Sequence, residues 1–82
     1  MNSPTRSLDA VAVGAPARVV RVSGDDEISL RLLEMGLTPG VAVSVVGSAL
    51  LGDPIELELR GYRLSVRRRE AQRVEVECGE EA

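Results

Sequence analysis

The sequence predicts a mainly β fold: a small barrel of about five strands, with one helix over residues 25–35 capping an open end. Three observations lead there. Apolar and charged residues alternate with a period of two at Ile55-Glu56-Leu57-Glu58-Leu59, Tyr62-Arg63-Leu64-Ser65-Val66 and Arg73-Val74-Glu75-Val76-Glu77. Glycine or proline interrupts the chain at roughly eight- to twelve-residue intervals, the rhythm of short strands and tight turns. The 44% apolar content includes no Phe and no Trp, and Tyr62 is the single aromatic. The core must then be built from Val, Leu, Ile and Ala, whose branched shapes suit a tight sheet interior.

Taken in order, residues 1–7 read as a flexible lead-in, 8–77 as the domain and 78–82 as an acidic tail. Ala17 to Val22 is a first strand, entered past Gly14 and Pro16. Ser23 and Asp26 have the spacing of a capping box, and Asp25-Asp26-Glu27 suits the positive end of a helix dipole. Ile28, Leu32 and Met35 then fall at i, i+4 and i+7, with Glu27, Arg31 and Glu34 on the opposite side in pairing distance. Gly36 is placed to take a left-handed conformation at the helix stop, with Leu37 folding back on Leu32 as in a Schellman motif. Thr38-Pro39-Gly40-Val41 fits a type II turn. Val41 to Val46 is a second strand, and Gly52-Asp53-Pro54 makes the turn before Ile55. Around Arg60-Gly61, the alternation sets Glu58 opposite Arg63 and Leu57 opposite Leu64. Arg-Gly is not a favoured two-residue loop, which leaves a glycine bulge open as the alternative to the simple turn. A short helical turn at 68–72 leads to the last strand.

Eighty-two residues make one small domain, and the formal net charge is −3 with every basic residue an Arg. An acidic chain without interleaved aromatics is a poor nucleic-acid binder. No apolar run approaches the roughly 20 residues that span a bilayer, and the polar N-terminus does not read as a secretory signal. A cytoplasmic protein without membrane insertion is expected. Cys78 is the lone cysteine and His is absent, which removes the usual Cys/His zinc, haem, Fe–S and Ser–His or Cys–His arrangements. No catalytic residues, cofactor or metal ligand set are expected, which favours a binding module over an enzyme.

Two features suit such a role. Leu50 and Leu51 lie outside the strand alternation, either as apolar anchors of a partner interface or folded over a barrel end as core. Arg67, Arg68 and Arg69 form the densest basic run, either docking an acidic partner face or pairing with Glu56, Glu58, Glu70, Glu75 and Glu77 on a solvated sheet. Gly36, Pro39, Gly40, Gly52, Asp53 and Pro54 are assigned to turns and caps. Unpaired edge strands leave a weak homo-oligomer open.

The block Arg31-Leu32-Leu33-Glu34-Met35-Gly36-Leu37-Thr38-Pro39-Gly40, followed by Leu51-Gly52-Asp53-Pro54-Ile55 and Leu64 to Ala71, resembles the FeoA family, and the likeness runs from about Leu8 to Val76. The resemblance implies an SH3-like barrel and a non-enzymatic accessory role toward the FeoB-type membrane iron transporter, which carries a cytosolic GTPase domain. With one aromatic, the chain cannot build the groove that SH3 domains use for proline-rich peptides. The same barrel also ends iron- and manganese-dependent repressors of the DtxR type, so a metal-responsive regulatory domain is the alternative. In those proteins it follows a DNA-binding region that this sequence does not contain.

Overall fold

The alternating segments form strands in the computed structural model, which describes residues 5–78. In chain order the elements are β1 (Thr5–Ser7), β2 (Pro16–Val22), α1 (Glu27–Glu34), β3 (Ala42–Ser48), β4 (Ile55–Leu59), β5 (Tyr62–Val66), α2 (Arg68–Ala71) and β6 (Val74–Cys78). Single 3-10 turns occupy Leu8–Ala10 and Leu50–Gly52. The strands form one antiparallel sheet in the order β1-β6-β2-β3-β4-β5. Register shifts between Val19 and Arg21 on β2, and between Val45 and Gly47 on β3, bend the sheet around its own apolar face.

The residues that alternate inward meet in one core. Leu8, Val19, Leu32, Leu37, Val43, Val45, Ile55, Leu57, Leu59, Val74 and Val76 are all buried in it. The hairpin β4–β5 has the expected register, with Glu58 opposite Arg63 and Leu57 opposite Leu64. Its loop is the simple two-residue turn of the two forms left open. Arg60 and Gly61 have φ of 53° and 85°, the signature of a two-residue type I′ turn, and no bulge is needed. The twist of the flanking strands selects that turn, and Arg60 takes the first left-handed position where Asn or Asp is commoner.

The helix stop is built as the sequence suggests. Gly36 has φ of 110°; its N–H donates to the Leu33 carbonyl (3.0 Å) and the Leu37 N–H donates to the Leu32 carbonyl (3.2 Å). Those two bonds define a Schellman motif, and Leu32 and Leu37 are both fully buried behind it. The next turn closes through the Val41 N–H on the Thr38 carbonyl (3.1 Å), with Gly40 at φ 93°. It is pinned to β2 from both sides: Gly40 N–H donates to the Val19 carbonyl, and Arg18 donates to the Gly40 carbonyl (both 2.8 Å).

Several boundaries move by one or two residues, and three changes have a physical cause. Thr5–Ser7 is not a lead-in but a strand on β6, with Thr5 opposite Glu77 and Ser7 opposite Glu75. Its three polar residues carry no alternation of their own, so only the neighbouring strand defines it; six strands result where about five are read from the pattern. Cys78 closes β6 rather than opening the tail, and the remainder of that tail, 79–82, lies outside the described residues, as do 1–4. The helix starts at Glu27 instead of 25, because Asp26, not Ser23, is its N-cap. The Asp26 carboxylate accepts from the Ser29 N–H (3.2 Å) and the Ser29 hydroxyl donates back to the Asp26 carbonyl (2.9 Å). Ser23 instead donates to the Arg73 carbonyl (3.1 Å).

Candidate partner interface

The connection from β3 to β4 carries the most exposed large apolar side chains among the described residues. Ala49 N–H donates to the Pro54 carbonyl and Gly52 N–H to the Ala49 carbonyl (both 2.9 Å), so residues 49–54 close into a tight loop whose ends are stitched together. Leu50 and Leu51 stand at its tip, 88% and 103% exposed. They are not part of the core, which removes one of the two readings left open by their position outside the strand alternation. Leu51 has φ of 66°, a left-handed conformation that a side chain bearing Cβ adopts at a cost of about 1–2 kcal/mol.

The three consecutive arginines do not form one patch. Arg68 turns inward and is half-buried: its Nε donates to the Gly52 carbonyl (2.5 Å) and its Nη1 to the Asp9 carbonyl (3.1 Å). One guanidinium thus bridges the 3-10 turn at Leu50–Gly52 to the one at Leu8–Ala10. The Arg68 backbone N–H adds a third tie, donating to Asp53 Oδ1 (3.0 Å). Asp53 is therefore more than a turn residue, since its carboxylate satisfies an orphan donor in the first turn of α2. Arg67 and Arg69, on either side, are exposed and make no ion pair among the described residues. With Asp53 they line an open depression of about 300 Å³ beside the leucine loop. Nothing in the sequence flags Asp9, because its contribution is a backbone carbonyl 59 residues from Arg68.

Two of the five acids read as partners of the arginine run pair with other arginines. Glu70 accepts from Arg31 of α1, in place of the Glu27 and Glu34 pairings expected along the helix. Glu75 pairs with Arg21 at 2.9 Å. Arg73 Nη1 lies 2.6 Å from Asp26 Oδ1. That hydrogen bond first, and the one from the Ser29 N–H second, lower the Asp26 pKa from 3.8 to about 2. Asp25, Asp26 and Glu27 thus serve the helix start, and among the described residues no three acidic or Cys side chains converge as a metal site would require.

A second open depression, about 550 Å³, runs along α1 between Leu30, Leu33 and the Gly24–Glu27 segment. It holds one half-exposed leucine, Leu30 at 55%, against the two fully exposed ones of the 49–54 loop. At the free edge of the sheet, the Tyr62 hydroxyl of β5 donates to the Met35 carbonyl (2.7 Å) and closes α1 against that strand. No helix among the described residues is long and apolar enough to cross a membrane.

Comparisons with known proteins agree with this architecture. A family model described as the FeoA domain matches residues 6–78. A solved FeoA-like protein from Clostridium acetobutylicum superposes with a TM-score of 0.88 at 32% identity, covering 100% of this chain and 94% of that one. FeoA of Stenotrophomonas maltophilia, solved with zinc and described as a procaryotic SH3 domain protein, superposes with a TM-score of 0.76 at 29% identity, covering 87% and 88% of the two chains. An Fe(2+) transport protein A/Fe(2+) transporter FeoB fusion protein of Porphyromonas gingivalis is 39% identical over 70 residues, which is 85% of this chain. The chain spans only 8% of that relative's length. The fold is SH3-like, and the chain belongs to the FeoA family.

Proposed function

We propose that this domain is a non-enzymatic accessory of ferrous-iron uptake that works by binding the cytosolic part of a FeoB-type GTPase iron transporter. The observation that carries the reading is the Porphyromonas gingivalis relative, in which a domain like this one and FeoB form a single polypeptide. Fusion holds two modules at high effective concentration, which is useful when they act on each other. The domain offers contacts rather than chemistry. Its exposed apolar loop at Leu50 and Leu51, with Arg67 and Arg69 alongside and Arg68 as their brace, is the docking surface we assign.

The test is retention of the purified domain on a full-length FeoB-type transporter reconstituted in lipid nanodiscs, at low and high salt. Binding at low salt that weakens as salt rises is expected, because exposed arginines contribute screened attraction. Absence of retention at both salt concentrations would overturn the reading.

A further inference from the structure

We propose that the 49–54 loop is a preformed apolar knob, braced open by Arg68, that enters an apolar pocket rimmed by carboxylates on the partner protein. This rests on the accessory reading above and names the chemistry of the surface it meets.

The knob is preformed because its geometry is fixed from outside the loop. The Gly52 carbonyl is held by Arg68 Nε, Asp53 by the Arg68 N–H, and the loop ends by two backbone bonds. Arg68 is anchored in turn on the Asp9 carbonyl, so the brace stands on the opposite 3-10 turn. A loop held this way gives up little conformational freedom on binding, and preorganisation of that kind turns buried area into affinity. The exposed leucines themselves add nothing to stability. Two leucines stay in water, and one of them occupies a left-handed conformation that glycine would take without strain. The site is built for a contact that the isolated domain does not make.

The charges select the occupant. Arg67 and Arg69 flank the knob and are unpaired among the described residues, which calls for carboxylates around the receiving pocket. An isologous contact with a second copy would set these arginines against their own images and meet a knob with a knob. An anionic bilayer is disfavoured by the net charge of −3, which opposes approach of the whole domain. A protein pocket satisfies both the apolar and the basic component.

The test compares wild type with Leu50→Ser/Leu51→Ser and with Arg67→Glu/Arg69→Glu, all surface changes that leave the core intact. Each is measured for affinity to the nanodisc transporter, for co-sedimentation with phosphatidylglycerol vesicles, and for self-association by analytical ultracentrifugation. The leucine variant is expected to lose roughly 30-fold or more in transporter affinity, the scale of an interface hot spot. The arginine variant is expected to lose about tenfold and to flatten the salt dependence. Wild-type binding that the leucine variant retains in full would overturn the knob while leaving the accessory reading in place. Failure of wild type to bind at all would remove both. Leucine-dependent binding to vesicles, or leucine-dependent self-association, in place of transporter binding would assign the loop to a membrane or to a second copy and overturn the protein pocket.

Discussion

Among the residues in left-handed backbone, Gly36 and Leu51 sit there for opposite reasons. Gly36 ends α1, and a Cβ built there would collide with the Tyr62 hydroxyl and crowd Leu59 Cδ1 at 3.3 Å. Gly36→Val combines a strained φ with overpacking and is expected to cost roughly 2–5 kcal/mol, seen as a large fall in melting temperature. An unchanged melting curve would show that the helix stop does not need glycine. Leu51 is left-handed without any such necessity, since its side chain contacts solvent. Leu51→Gly is expected to leave the domain as stable or up to about 1 kcal/mol more stable, as relief of strain offsets the greater freedom of the unfolded chain. The same variant should lose transporter affinity. A protein that gains stability and loses binding at one position has that position tuned for contact. Both glycine stops and exposed leucines were visible in the residue order, but exposure itself was not. Leu50 and Leu51 have the composition of core residues, and only the stitched 49–54 loop decides that they face out.

At the level of elements, short-range rules gave the helix and hairpins, and long-range contacts set their edges. The Schellman stop and the β4–β5 register follow from spacing within a few residues. The helix start does not: Asp26 is selected as cap by Ser29 and by Arg73, which is 47 residues away in sequence. β1 is likewise invisible locally and exists because β6 presents an edge for Thr5–Ser7. The Asp26–Arg73 contact carries a pH signature. The folded-state pKa of Asp26, about 2, lies below its ordinary 3.8, so its contribution is fully present above 3.8 and is lost as pH falls toward 2. Asp26→Asn keeps a competent helix cap and removes only the charge. The stability gap between wild type and this variant, from urea melts at a series of pH values, is expected to be constant above 3.8 and to close between 3.8 and about 2. A gap unaffected by pH would mean that the ion pair does not hold the element in place.

Across the whole molecule, the sheet, α1 and α2 form a scaffold whose buried interior is aliphatic apart from Ser29 and whose surface acids and arginines are partly committed to each other. Arg21 with Glu75, Arg31 with Glu70 and Arg73 with Asp26 tie elements together at the surface, where solvent screens their attraction. Among the described residues that make no ion pair, Arg67 and Arg69 stand with Asp53 beside the exposed leucine tip. Fold class and family were legible because alternation, glycine stops and the Pro-Gly turn are local signals. The candidate site was half legible, because the sequence marks its residues but not that Arg68 turns inward while Arg67 and Arg69 stay exposed. The most direct measurement is an amide chemical-shift titration of the isotope-labelled domain with the soluble GTPase domain of the transporter, with and without a GTP analogue. Shifts gathered on Leu50, Leu51, Gly52, Arg67 and Arg69 are the expected result. Shifts confined to the α1 face around Leu30, or a spectrum that does not change, would contradict docking through the loop.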